Sequence, residues 1–256
     1  MIQTAERISH SETSDHVIFQ RSLFAYHEAS KHIHGTVLEI GAGMGYGIEL
    51  LQPLSSLYLA VDKYLSPAVS QAISQNKIKF IQEQVPPLSG IEDNTINTTV
   101  TFQVIEHIKN DHHFLKEINR VLVPGGKLIL TTPNIQMSIT RNPWHIREYT
   151  QEQLSQLLSA NFRQVELFGI FGAEKAMAYY EKNKESVRKI MRFDIFNLQY
   201  RLPRQILQIP YDFLNRINRK KLLNNNTDET LGISTNDFFL KMADKDCFDF
   251  FAVATK

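Results

Sequence analysis

The stretch Val37–Gly47, VLEIGAGMGYG, decides how this chain is read. A short apolar run ends on glycines at 41, 43, 45 and 47, and an acid, Glu39, stands two residues before the first of them. Apolar residues that stop at a glycine loop mark a buried strand whose carboxyl end meets a ligand, because glycine lets backbone approach closely and tolerates positive φ. A dinucleotide loop requires G-x-G-x-x-G, so that a pyrophosphate reaches a helix N-terminus. Counted from Gly41, the last position of that frame is Tyr46, and the spacing is G-x-G-x-G instead. A loop with no phosphate to hold suits a zwitterionic ligand, and Glu39 is placed to attract an ammonium group or to order water beside it.

The flanking sequence alternates strand and helix. After Val37–Gly41, a helix through Leu50 and Leu51 stops near Pro53, and Leu57–Asp62 reads as the second strand. Ser66 and Pro67 stand where an N-cap and first helical residue belong, opening a helix to about Gln75. Ile78–Gln82 and Thr98–Gln103 are the third and fourth strands. Asp111–Leu122 carries Phe114, Leu115, Ile118, Val121 and Leu122 at helical spacing, and Pro124–Gly126 breaks it ahead of a fifth strand, Lys127–Pro133. Thr150 with Gln153 forms the pattern of a capping box. Gln164–Ile170 is a sixth strand, and CFDFFAVATK ends the chain as a seventh. Strands alternating with helices imply parallel pairing with helices on both faces. Asp62 ends the second strand 21 residues after Gly41. There it overhangs the sheet edge where open α/β sheets bind ligands, and it can accept both hydroxyls of a ribose. A glycine loop with a ribose acid points to a nucleoside ligand. The competing view makes Glu39 and Asp62 solvated strand ends.

The chain has 256 residues, 43% of them hydrophobic, and a formal net charge of +1. That is enough for a sizeable core, and it provides no global field to recruit nucleic acid or acidic membrane. One cysteine, Cys247, forms no intrachain disulfide, which suits a cytoplasmic setting. The polar stretch MIQTAERISHSETSDH has no signal-peptide core, and no apolar run is long enough to span a membrane.

Together, VLEIGAGMG, AVD, FQVIEHI, INRVLVPGGKLILTTPN and HIREYT resemble the class I S-adenosylmethionine-dependent methyltransferases, near the bacterial group that includes the ubiquinone-biosynthesis O-methyltransferases. The resemblance covers about residues 36 to 170 and the last strand. It implies a Rossmann-like, doubly wound α/β sheet of seven strands with the last antiparallel. It also implies that Gly41, Ala42, Gly43 and Gly45 line the methionine and ribose of S-adenosylmethionine, with Glu39 below and Asp62 on the ribose hydroxyls. By the same resemblance Lys63 and Tyr64 flank the adenine, Val85 is among the cofactor-binding residues, and Gln103 falls at the methionine end. Gln84 stands where the family has an acid facing the adenine amine, and its amide oxygen can still accept from that amine. Some quinone O-methyltransferases resemble E-x-x-E-H after the fourth strand and use it for a metal. Here the first carboxylate is Gln103, ahead of Glu106 and His107, so a hard cation loses an anionic ligand and no metal is expected.

Methyl transfer from a sulfonium needs alignment and, for a protonated nucleophile, a base. His107, His145 and Glu148 lie near the strand ends and are the candidates. His107 reads equally well as a helix-start residue packed on the sheet, and Trp144, Arg147 and Tyr149 as a folded connection. Residues 1–35 form an N-terminal helical segment running from about Asp15 to His32, in which Phe24, Tyr26 and His27 are candidate lid contacts or simply sheet-packing residues. Residues 36–170 and 237–256 form the cofactor-binding domain, and 171–236 form an inserted helical subdomain with helices Glu174–Met191, Pro203–Ile209 and Pro210–Leu223. Residues 171–223 hold twelve Lys/Arg against five Asp/Glu, a net of +7, which leaves about −6 for the rest.

That insertion reads as a lid, as a peripheral contact with the inner membrane face through residues 188–223, or as an RNA-binding surface. The expected activity is methyl transfer to a small-molecule or lipid-linked acceptor, at oxygen. No NPPY or DPPY follows the fourth strand, which argues against planar nitrogen. The alternatives are a non-catalytic nucleoside-binding protein of the same fold, an RNA methyltransferase using the basic insertion, and an NAD-dependent oxidoreductase, which Tyr46 disfavours.

Overall fold

The computed structural model describes residues 12–194 and 197–256. The expectations for residues 1–11 and for Ile195 and Phe196 fall outside the described residues. Eight strands form one sheet: β1 Thr36–Ile40, β2 Leu57–Asp62, β3 Lys79–Gln82, β4 Ile96–Phe102, β5 Leu122–Pro133, β6 Gln164–Gly172, β7 Phe238–Met242 and β8 Asp249–Thr255. Their spatial order is β3-β2-β1-β4-β5-β8-β6-β7. The first five pair in parallel, and β8 inserts antiparallel between β5 and β6.

All seven expected strands are present, and β7 adds an eighth on the outer edge of β6. The sequence hides it because only Phe238 is buried, while Phe239 and Met242 are exposed, as befits an edge strand with one neighbour. β5 also starts earlier than expected. It begins at Leu122 and runs through Pro124–Gly126, where a register shift against β4 between Ile96 and Thr98 absorbs the turn-forming residues.

The helices are α1 His16–Ser30, α2 Tyr46–Leu51, α3 Pro67–Ser74, α4 Asp111–Val121, α5 Gln151–Ser159, α6 Glu174–Met191, α7 Leu198–Arg201, α8 Arg204–Asn225 and α9 Thr227–Leu231. Alternation along each strand splits the core between the two faces of the sheet. Leu38, Ile40, Leu128, Leu130 and Phe250 pack on one face with Phe114, Leu115, Ile118 and Val121 of α4. Val37, Ala60, Val100, Ile129 and Phe251 pack on the other with Phe24 and Ala29 of α1. The caps read from sequence are in place. The Ser66 side chain accepts from the Val69 amide, and Thr150 and Gln153 close a capping box.

Pro210 does not divide the insertion as expected. α8 runs continuously through it, with Ile206, Ile209 and Phe213 on its exposed side. One proline removes one i→i−4 hydrogen bond, and a helix of 22 residues with a buried opposite face retains enough others to continue. Among the described residues, no helix is long and apolar enough to cross a membrane.

Candidate functional site

The glycine loop leaves β1 at the carboxyl edge of the sheet, between β2 and β4. Gly41, Gly43 and Gly45 have φ of 80°, 52° and 85°, the left-handed region that side chains avoid. The Gly41 amide donates to the Val61 carbonyl at 2.8 Å, tying the loop to the end of β2. A Cβ at Gly43 meets only the Gly41 carbonyl oxygen, at 3.8 Å, so the outer side of the loop has room for a bound group.

Asp62 reaches over this loop. Its carboxylate accepts from the Gly43 amide at 2.8 Å and from the Tyr64 amide at 2.9 Å, which holds it half-buried at the strand edge. Lys63 Nζ lies 5.1 Å from the centre of the Tyr64 ring. Gln84 is exposed and Val85 half-buried beyond β3. Gln103 directly follows β4 with φ of 56°, and its backbone N–H donates to the Thr131 carbonyl at 3.0 Å. A non-glycine residue held left-handed at a strand end often marks a functional position.

Glu39 is not a solvated strand end. It is 1% exposed beneath the loop, and its two oxygens accept from the hydroxyls of Tyr26 and Tyr58, each at 2.7 Å. Burial raises its pKa to about 7, the two hydroxyls hold it down, and the nearby Asp62 charge pushes it up further. The loop closes over this pair tightly. A Cβ at Gly47 would lie 2.4 Å from the Tyr26 ring and 2.5 Å from Glu39 Oε1.

Of the α1 residues singled out from sequence, Phe24 and Tyr26 are core residues. Phe24 packs near Phe238 with ring centres 6.3 Å apart, and Tyr26 sits edge-on to Phe102 at 4.8 Å. His27 is exposed. None of the three lines the cavity under α6 and α8, and the face of α1 that carries Phe24 turns onto the sheet. Ile18 and Arg21, from the same helix, do line it.

That cavity, of about 330 Å³, lies beyond the ends of β4, β5 and β8 and under α6 and α8. Gln103, His145, Glu148, Arg21 and Asp249 contribute polar wall, and Met137, Ile190, Tyr211 and Phe248 apolar wall. His145 Nδ1 is 2.6 Å from Glu148 Oε1, and Asn142 Nδ2 is 2.9 Å from His145 Nε2. His107 stays outside the lining. Its Nδ1 faces the Trp144 carbonyl at 3.1 Å, and its ring meets that of His145 edge-on at 5.0 Å. The connection carrying His145 is pinned from three sides. Trp144 Nε1 donates to Asp212 on α8 at 2.9 Å, Arg147 pairs with Asp111, and the buried Tyr149 hydroxyl donates to Asp111 at 3.0 Å.

Glu106, His107 and His145 each bring one ligand atom within 4.8 Å of the others. To Glu106 and His107, weighed together from sequence, the fold adds His145. Two imidazoles and one carboxylate form a donor set for a borderline ion, not for the hard cation that the sequence comparison had in view.

Asp249, which the sequence does not single out, is the first residue of β8, opposite Pro133. It is 4% exposed, and Oδ2 pairs with Arg21 Nε at 2.9 Å. Burial raises its carboxyl pKa above the usual carboxylate value, against the Arg21 charge and the nearby Gln103 amide. Asn134 holds the turn before it by donating from Nδ2 to the carbonyls of Lys245 and Cys247 at 3.0 and 2.9 Å. Pairing with β5 on one side and β6 on the other brings Asp249 to the site.

Comparison with known proteins agrees with this geometry. A family model described as "Methyltransferase domain" matches residues 38–130. A probable S-adenosylmethionine-dependent methyltransferase of Mycobacterium tuberculosis is 37% identical over 142 residues, 53% of this chain and 51% of that relative. The chain thus spans about half the length of that relative. One of Mycolicibacterium smegmatis, also described as a probable S-adenosylmethionine-dependent methyltransferase, is 31% identical over 175 residues, 66% of this chain and 68% of that protein. Among solved structures, a SAM-dependent methyltransferase of Archaeoglobus fulgidus has a TM-score of 0.53 at 15% identity, covering 93% of both chains. One from Thermotoga maritima has a TM-score of 0.54 at 14% identity, covering 93% of this chain and 92% of that one. At such low identities the likeness is one of fold. With the glycine loop, the family model and the M. smegmatis relative in agreement, the chain belongs to the class I S-adenosylmethionine-dependent methyltransferases.

Proposed function

We propose that this chain transfers a methyl group from S-adenosylmethionine to an oxygen of a small-molecule or lipid-linked acceptor. The position of Gln103 carries the reading. It follows β4, the neighbour of the strand that bears the glycine loop, and it also lines the cavity under α6 and α8. A cofactor on the loop and an acceptor in the cavity therefore meet at one residue. When bound, the cofactor supplies a methyl group already activated on a sulfonium.

The chain's own residues hold and align. Gly41, Ala42, Gly43 and Gly45 make the floor, and Asp62 takes the ribose hydroxyls. Lys63, Gln84 and Val85 border the adenine, and Gln103 meets the methionine end. Glu39, its oxygens occupied by two tyrosines, acts from beneath the loop by fixing Tyr26 and Tyr58 against it. On the acceptor side, His145 backed by Glu148 is placed to take a proton, and His107 positions it through the ring contact.

Residues 171–236 serve in this reading as the roof of the cavity. α8 turns Leu214 and Asn215 into the cavity wall and Ile206, Ile209, Phe213 and Ile217 outward, with Ile209 81% exposed. These four recur every three or four residues, so they form one stripe, and Lys220 and Lys221 follow it. An outward apolar stripe beside basic residues supports docking on an anionic membrane surface in preference to RNA.

Calorimetric titration with S-adenosylmethionine and S-adenosylhomocysteine tests the cofactor, and methyl transfer to lipid extracts tests the acceptor. The reading fails if neither cofactor form binds.

A further inference from the structure

We infer that the reacting end of the acceptor is a neutral polyhydroxyl group, sugar-like in chemistry, one of whose hydroxyls is held by Asp249. The methyl donor in this inference rests on the function proposed above; the binding chemistry does not.

The starting observation is one atom. Asp249 lines the cavity; its Oδ1 is buried and makes no well-formed hydrogen bond among the described residues, the Gln103 amide beside the carboxylate being the nearby donor, while Oδ2 is held by Arg21. A buried carboxylate oxygen without a donor is costly, and folds keep such atoms where a ligand supplies the donor. The charges around it narrow the choice of ligand. Arg21 is paired with Asp249, His145 with Glu148 and Arg219 with Asp15. A phosphate or carboxylate would face Asp249 and Glu148 without a cation of its own. An ammonium would enter beside Arg21, which already balances Asp249. A hydroxyl donates to Oδ1 and adds no charge.

The rest of the wall suits the same chemistry. The amides of Gln103, Asn215 and Asn218 can each donate and accept, as hydroxyls do. Tyr180 and Phe248, with ring centres 5.4 Å apart, offer an apolar face to the C–H side of a sugar ring.

The step balances. The reacting O–H loses its proton to His145, backed by Glu148, as its oxygen bonds to the methyl carbon. The carbon–sulfur bond breaks with its electron pair left on sulfur, giving S-adenosylhomocysteine, and His145 then releases the proton to solvent. Asp249 holds a neighbouring hydroxyl throughout.

The experiment uses three probes with one tail: octyl β-glucoside, octyl phosphate and octylamine, each below its micellar concentration. They are titrated calorimetrically into the full chain with and without S-adenosylhomocysteine. Octyl glucoside should bind at least about tenfold tighter than the charged probes. Asp249→Asn should weaken it about tenfold, the loss expected when a charge-assisted hydrogen bond becomes a neutral one, with S-adenosylhomocysteine affinity unchanged. Tighter binding of either charged probe, no binding of the glucoside, or an unchanged glucoside affinity in Asp249→Asn overturns the inference. The wild-type probe order decides it even if the variant does not fold. Failure of S-adenosylhomocysteine to bind counts against the methyltransferase reading alone, since the glucoside arm is read without it.

Discussion

The cofactor edge and the acceptor cavity sit side by side on one sheet and are built in opposite ways. At the cofactor edge, Glu39, Gly41, Gly43, Gly45 and Asp62 come from two adjacent strands and one loop, and local backbone geometry places them. At the cavity, Arg21, Gln103, His145, Asn218 and Asp249 come from five elements spread over the chain. The first region is held by strand ladders and glycine conformation. The second is held by long-range ties: Arg219 to Asp15, Trp144 to Asp212, and Arg21 to Asp249. The teaching is that cofactor geometry here is robust and local, whereas acceptor geometry depends on a few tertiary contacts.

Cutting the tie between α8 and the start of α1 should break the contrast most visibly. Arg219→Met removes an ion pair from the largely buried Asp15 carboxylate and should cost up to about 3–5 kcal/mol in chemical denaturation. If local construction holds at the cofactor edge, S-adenosylhomocysteine affinity in the folded fraction stays the same while octyl glucoside affinity falls. Equal losses in both would refute the contrast.

A second effect belongs to the cofactor edge. Glu39, with a folded pKa near 7 against an unfolded value near 4.5, binds its proton more tightly when folded. Its contribution is fully present below about pH 4.5 and is lost as pH rises toward 7, up to about 3 kcal/mol. Glu39→Gln removes this dependence. The difference in stability between wild type and variant, followed by thermal unfolding from pH 5 to 8, should shift in favour of the variant as pH rises and level off above 7. A difference that stays flat over that range would show that the tyrosine hydroxyls keep Glu39 ionised.

Asp62→Ala sharpens the comparison from the other side. It should weaken S-adenosylmethionine binding by about 1–3 kcal/mol, read by calorimetry, and leave the cavity probes unaffected. The smallest effect is expected from Trp144→Phe, which keeps the ring but removes the hydrogen bond to Asp212. It should cost about 0.5–1.5 kcal/mol in stability and loosen the roof, seen as faster amide exchange in α8. Unchanged exchange there would mean that the Trp144 hydrogen bond does not help to hold α8 down.

Legibility in the sequence followed the same division. Seven strands, the Ser66 and Thr150 caps and α6 could be read because periodicity and capping chemistry act over a few residues. β7 escaped because an edge strand has one buried position to announce it. The break expected at Pro210 did not occur because tertiary packing of α8 outweighs one lost hydrogen bond. His145 and Glu148 could be suspected from their place after β5, but their approach to each other depends on a folded connection.

By itself, then, the sequence determined the α/β alternation, the glycine loop and the ribose acid, since each is a matter of spacing along a continuous strand–loop segment. Only the tertiary structure decided that Glu39 is buried under two tyrosines, that Phe24 and Tyr26 belong to the core, and that Asp249 faces the cavity. The physical reason is that burial and pairing depend on elements far apart in the chain. Tyr26 reaches Glu39 across 13 residues, but Arg21 and Asp249, more than 200 residues apart, meet only once β8 has inserted between β5 and β6.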